Sequence, residues 1–375
     1  MASSWRDFLY RAGHRAENSL DDLKLRLRER MGWNTVVHIC PYISFGNRHS
    51  LYIKGRVMHD PGILSNPDDD FWENLVNMYS RLNSHEIKGA HLQVTYHDVV
   101  HDFFSDEDGY FGETIPMPGA VMNVKGWHYP EIELLSATVP FEKPVKAKAK
   151  VLIPPDTAAF GVISDIDDTI LQTSATSMMK MAWNTFANNS HTRIPFHGVA
   201  AFYRALYLGK TGKEYNPVFY VSSSPWNLYD LLRDFIHLQG IPDGPLFLKD
   251  YGFTHNKIFT EGHQGHKPKK IKKILDAYPE MKFILIGDSG QKDPEIYADI
   301  IKDNPDRILA VYIRDVTLDE RDIQVKNIYS AHKVEMVYSE NSLTAAQNAH
   351  SKGWIDGASL PEIERVKERD ELNEE

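Results

Sequence analysis

Residues Ala159–Ile170 read "AFGVISDIDDTI". The first half is an unbroken apolar run, the pattern of a strand covered on both faces rather than on one. The second half places Asp165, Asp167 and Asp168 within four residues. Carboxylates crowded in this way repel one another and resist burial. A buried strand that ends on them needs a partner for their charge, and that requirement sets the reading of the rest of the chain.

Three more apolar runs of the same kind follow, "PVFYVS", "KFILIG" and "ILAVYI". Helical periodicities lie between them, in "NLYDLLRDFIHL" and "PKKIKKILDAY"; Ile271, Ile274, Leu275 and Tyr278 keep the spacing of one helix face. This half is predicted to be an α/β unit with a doubly wound parallel sheet. Ahead of it, from about Val36 to Val151, the text is mostly strand. "HLQVTYH" alternates Leu92, Val94 and Tyr96 against polar neighbours, and "VKAKAKV" predicts one strand with Lys146, Lys148 and Lys150 on a solvent face, a defence for a sheet edge. "SDEDGYF" predicts a turn at Asp108-Gly109 that releases into a strand. "DDFWENLVNMYSRL" predicts one helix inside this region. The expected organisation is a helical segment at 1–33, a β-sandwich-like domain at 34–153, the α/β domain at 154–350, and a charged helix or tail at 351–375.

The chain has 375 residues, enough for two cores, and a net charge of −10 that argues against a general nucleic-acid binder. Its single cysteine, Cys40, excludes an internal disulfide framework and fits a reducing compartment. No apolar run approaches a bilayer span, and the N-terminal stretch carries charges throughout, unlike a signal peptide. The expectation is a soluble, cytoplasmic protein with peripheral contact at a membrane surface.

In open α/β sheets reactive groups gather where strands end. Asp165 and Asp167 follow the first run, Ser222 and Ser223 the second, and Asp288 and Asp293 the third; Lys267 opens the helix before that third strand. Such a density of carboxylates, with oxygen donors only, calls for a hard cation, Mg²⁺. With the cation in place, Asp165 would attack phosphorus and form an aspartyl-phosphate, while Asp167 hands a proton to the leaving group and later takes one from water. Ser222 and Lys267 would bind the phosphoryl oxygens, Lys267 competing for that place with Lys257, Lys269 and Lys270. The run Lys269, Lys270, Lys272, Lys273 reads as a solvated helix face that an anionic membrane would also attract. "GDSG" around Ser289 lacks the context of a serine nucleophile, "GKT" at Gly209–Thr211 lacks that of a phosphate loop, and His255, His263 and His266 lack zinc spacing.

"DIDDT", "YVSSS", "HKPKKI" and "GDSGQKD", in that order, resemble the four motifs of the haloacid-dehalogenase superfamily of phosphohydrolases. Carried over, the resemblance implies Asp165 as nucleophile, Asp167 as acid/base, Ser222 and Lys267 as phosphate binders, and Thr169 as support for the first loop. It implies Asp165, Asp288 and the Asp167 carbonyl as metal ligands, with Asp293 beside them. The longer stretches "YVSSSPWNLYDLL", "FILIGDSGQKDPEIY" and "VYIRDV" are similar to the actin-patch-protein family of phosphatidate phosphatases, the whole chain looking like a bacterial-type member. That likeness implies Mg²⁺-dependent conversion of phosphatidate to diacylglycerol. A phosphatase of a soluble phosphomonoester, and a lipid- or protein-binding module, are the alternatives. The apolar segment Met178–Phe186 reads as core packing, or as a lip for lipid.

Overall fold

The computed structural model describes residues 36–60, 87–118, 126–166, 169–170, 198–249, 266–316, 320–329, 333–339 and 341–372. The helices expected at 1–33 and 69–82, the 178–186 segment, Asp167, Asp168, Lys257, His255 and His263 lie outside the described residues.

Among the described residues of the first half, the regular elements are strands: β1 (Val36–Pro41), β2 (Ser44–Gly46), β3 (Ser50–Asp60), β4 (His91–Tyr96), β5 (Val99–Phe104), β6 (Tyr110–Pro116), β7 (Gly126–His128), β8 (Glu131–Ser136), β9 (Val145–Lys148) and β10 (Val151–Ile153). One sheet runs β1-β3-β2-β10-β7, with β6 also paired to β3, and a second runs β5-β4-β8-β9. Leu51, Ile53 and Val57 from the first and Leu92, Val94, Ile132 and Leu134 from the second meet in one apolar cluster. The alternation in "HLQVTY" does this work: Leu92 and Val94 turn inward while Gln93 and Thr95 do not. Gly109 takes the left-handed conformation that the Asp106–Gly109 turn needs before β6 (φ 75°).

"VKAKAKV" departs from its expected form. It is two strands in two sheets, not one. β9 is the outer strand of its sheet, with Lys146 and Lys148 exposed, as suits an edge. The chain then crosses at the fully buried Ala149, and β10 joins the other sheet beside β2 and β7. Lys150 therefore leaves the lysine face and pairs with Asp243 at 2.6 Å.

The second half alternates: β11 (Gly161–Asp165), α1 (Val199–Leu208), β12 (Val218–Pro225), α2 (Tyr229–Leu238), β13 (Leu246–Lys249), α3 (His266–Ala277), β14 (Phe283–Asp288), α4 (Asp293–Asp303), β15 (Ile308–Arg314), α5 (Glu320–Tyr329), β16 (Glu335–Ser339), α6 (Ser342–Ser351) and α7 (Leu360–Leu372). The six strands pair in parallel, in the order β13-β12-β11-β14-β15-β16. Alternate residues of each strand enter different clusters. Val162, Tyr220, Ile286 and Tyr312 pack with α1, α2, α6 and α7. Ile163, Phe219, Leu285 and Val311 pack with α3, α4 and α5 on the other face. Being covered twice is why these strands read as unbroken apolar runs. The C-terminal charged stretch is a helix that buries Ile363 and Val366 in the first of these clusters.

The halves meet through β2 and its flanks. The Tyr42 ring stacks on Trp226 (centroids 4.9 Å, 7° between planes), and the Ile43 N–H donates to the Tyr229 hydroxyl at 2.5 Å. The Tyr278 hydroxyl donates to the Gly46 carbonyl at 3.0 Å, and Phe45 packs among Phe219, Phe247 and Tyr278.

Candidate active site

The strand order reverses between β11 and β14, and each of these strands ends in an aspartate: Asp165 and Asp288. A reversal of this kind opens a crevice at the carboxyl ends of the strands, the place where open α/β sheets bind ligands. Asp293, the first residue of α4, folds back beneath them. All three are buried, and each offers a carboxylate oxygen within 4.8 Å of the others.

Lys267 answers part of that charge. It stands second in α3, its side chain 5% exposed, with Nζ 2.6 Å from Asp293 Oδ1 and 3.0 Å from Asp165 Oδ1. Burial alone would lower its pKa, but Asp165 and Asp293, with their hydrogen bonds, hold the ammonium well above its usual range. It therefore stays charged. The Asp165, Asp288, Asp293 and Lys267 side chains sum to two negative charges, and every ligand atom is oxygen. A divalent hard cation fits both the sum and the span.

Ser222 lies buried on β12, one residue past Val221, which pairs with Asp165 across the sheet. Its Oγ accepts from Ser224 N–H at 2.9 Å. Ser223 is on the same strand with its side chain half-buried. Thr169, buried four residues after Asp165, has an Oγ1 without a hydrogen-bond partner among the described residues. The structure thus brings Asp165, Asp288, Asp293 and Lys267 into contact range and sets Ser222 on the adjoining strand.

Several residues around the site carry no sequence signal of their own. The Gln291 N–H donates to Asp288 Oδ1 at 2.8 Å, and its side-chain amide donates to Asp165 Oδ2 at 3.5 Å. Arg321, from α5, holds that loop by donating to the carbonyls of Ser289 (3.2 Å) and Gln291 (3.1 Å), and it pairs with Glu295 at 2.8 Å. Tyr203 and Ser164 form a relay: the Ser164 hydroxyl donates to the Asp165 carbonyl at 2.6 Å, so the Tyr203 hydroxyl, 2.5 Å away, donates to Ser164. Burial raises the Tyr203 pKa and the Asp165 charge adds to it, so the phenol keeps its proton. Ser289 is structural, its Oγ accepting from Val316 N–H at 3.0 Å.

Residues 160–315 match the family model of the phosphatidate phosphatase APP1 catalytic domain. Every described member of the carboxylate–lysine cluster falls inside that span. Over 155 residues the chain is 37% identical to phosphatidate phosphatase APP1 of Saccharomyces cerevisiae, covering 41% of this chain and 25% of that protein. It is 28% identical over 180 residues to an uncharacterized protein of Schizosaccharomyces pombe, covering 48% of this chain and 29% of that one. The chain thus spans less than a third of the length of these curated relatives. Among solved structures, a carbohydrate acetylesterase from Xanthomonas citri aligns over 88% of this chain and 74% of its own, at 9% identity and a TM-score of 0.29, too low to bear on the fold.

Proposed function

We propose that the chain is a Mg²⁺-dependent phosphohydrolase that releases phosphate from phosphatidate, at a membrane surface, through an aspartyl-phosphate on Asp165. The observation that carries this reading is the buried cluster of Asp165, Asp288, Asp293 and Lys267 at the β11/β14 reversal, within the segment that matches the APP1 catalytic domain. Six parallel strands in this order, with helices on both faces, support a doubly wound, haloacid-dehalogenase-like fold for 154–350. The two sheets around one core support a sandwich for 34–153.

In this mechanism the Asp165 carboxylate attacks phosphorus, a P–O bond to Asp165 forms, and the bond to the glycerol oxygen breaks. Asp167 supplies the proton that the departing alkoxide takes. Water then attacks the aspartyl-phosphate, Asp167 takes its proton, and phosphate leaves with Asp165 restored. Ser222 donates to a phosphoryl oxygen, and Lys267 offsets charge on that group and on Asp165. Gln291 and the Tyr203–Ser164 relay hold Asp165 in line. A Mg²⁺ ion held by Asp165, Asp288, Asp293 and the Asp167 carbonyl would neutralise the phosphoryl oxygens.

The test is phosphate release from phosphatidate micelles and from soluble phosphomonoesters, with and without Mg²⁺. Release from phosphatidate that falls by roughly 10³-fold or more in Asp165→Asn is expected. Release only from soluble substrates would overturn the lipid assignment. No Mg²⁺-dependent release from either would overturn the enzyme.

A further inference from the structure

A small cavity lies on the α1 and α6 side of the parallel sheet, where β14, β15 and β16 end. Two of its walls belong to the chain that carries the carboxylates: Thr169 comes four residues after Asp165, and Ile286 two before Asp288. The enclosed space is about 30 Å³, room for about two water-sized groups. A carbonyl or a hydroxyl group fits there, and an acyl chain does not.

The lining is apolar at Ile286 and Phe202 and otherwise presents neutral donors. Thr169 is buried, and its Oγ1 has no hydrogen-bond partner among the described residues. A buried hydroxyl left unmet is destabilising, so a group that enters and meets it gives the position a purpose. Ser339 and Ser342 add two more buried hydroxyls. Asn341 adds a side chain whose direction is fixed: its Oδ1 caps α6, accepting from the Leu343 and Thr344 N–H groups at 3.1 Å each, so its amide nitrogen is the end that can donate into the cavity. The two tyrosine hydroxyls on the wall are engaged elsewhere, Tyr203 with Ser164 and Tyr312 with Asn348 at 2.9 Å. Arg314 shares the wall and interacts with other parts of the protein, so the donors that count here are the neutral ones. A carbonyl oxygen suits such a set, because it accepts two bonds and brings no proton that needs an acceptor of its own.

We propose that this cavity is a leaving-group subsite, in which Thr169 and its neighbours hold the carbonyl oxygen of an ester on the alcohol whose phosphate is removed at Asp165. Acylation of that alcohol then favours turnover, and phosphate alone does not define the substrate. The assignment rests on the phosphatase reading and names what that site selects.

The experiment compares Mg²⁺-dependent hydrolysis of a short-chain diacyl phosphatidate with that of its dialkyl ether analogue, which keeps the charge and the glycerol but lacks both carbonyls. In the full chain kcat/KM should be about tenfold higher for the ester, the worth of one good neutral hydrogen bond. Thr169→Val keeps the shape without the hydroxyl and should bring the ratio close to one, through loss on the ester. Its melting temperature should not fall, because no bond made within the described fold is removed. A lowered melting temperature with the ratio intact would make Thr169 a structural prop and overturn the proposal. Ser342→Ala should also lower the ratio, and it carries the test if Thr169→Val does not fold. Equal kcat/KM for the two lipids in the parent, or a full preference in both variants, would overturn the proposal while leaving the phosphatase reading intact. Binding of the two lipids to the Asp165→Asn chain, read by titration calorimetry, separates the two claims. Tighter binding of the ester, lost in Thr169→Val, with no hydrolysis by the parent would sink the phosphatase reading and keep the carbonyl site.

Discussion

Lys267 lies between two buried carboxylates, and the worth of that position is a matter of what remains when it goes. Lys267→Met would leave Asp165 and Asp293 facing each other without a cation, and breaking a buried pair in this way costs about 3–5 kcal/mol. Denaturant unfolding should show that loss. Adding Asp293→Asn to the same chain should restore part of it, because the second change removes one of the stranded charges. Strictly additive losses would show that the three groups do not act as a unit. Tyr203→Phe tests a subtler role. It takes from Ser164 the donor that aims its own hydroxyl at the Asp165 carbonyl, at about 1 kcal/mol of stability. Because the change misplaces the nucleophile and leaves the phosphate binders alone, kcat should fall while KM holds. An unchanged kcat would reduce the relay to packing. At this scale the aspartates were legible because charge after an apolar run has few structural explanations, whereas Lys267 was read from its place at the start of a helix and in competition with Lys257, Lys269 and Lys270. Gln291, Tyr203 and Arg321 were not legible, since their roles depend on which loop turns toward which strand.

At the scale of elements, the end of β14 is a tight joint beside the site. A Cβ on Gly287 would sit 2.6 Å from Asp293 Oδ2 and 2.8 Å from Tyr297 Cε2, so only glycine lets α4 come this close. Gly287→Ala should cost about 1–3 kcal/mol as overpacking. It should also lower activity more than it lowers the melting point, because the group it pushes aside is the one Lys267 holds. Full activity in a folded Gly287→Ala protein would count against Asp293 having a place in the site. The four central strands of the parallel sheet were readable as apolar runs, whereas β13 and β16 were not. They are the outermost strands: β13 is covered on both faces but is only four residues long, too short to stand out as a run, and β16 is half-buried along most of its length. "VKAKAKV" misled for the opposite reason. Its alternation is real through β9, and nothing in the spacing marks Ala149 as the point where the chain changes sheets.

At the scale of the molecule, the two halves share buried aromatic contacts, and this predicts one unfolding event. Heating should give a single transition seen alike by far-ultraviolet signal and by tryptophan fluorescence. Tyr229→Phe orphans the buried Ile43 N–H, a cost of about 1–3 kcal/mol. Trp226→Ala removes the plate on which Tyr42 stacks, and should split the transition into two. Two transitions in the unaltered protein would show that the halves are independent despite their contact.

The strand order also carries a timetable. β11 is an inner strand, yet the chain reaches its partner residues only much later: Val162 pairs with Val218, and Gly161 with Phe283. A chain made from its N-terminus therefore presents the strand bearing Asp165 before either flank exists. Closing such long loops is slow, and an unpaired apolar strand is meanwhile open to wrong partners. The same topology that builds the crevice makes β11 the place where folding waits longest, and where a nascent chain most needs shelter.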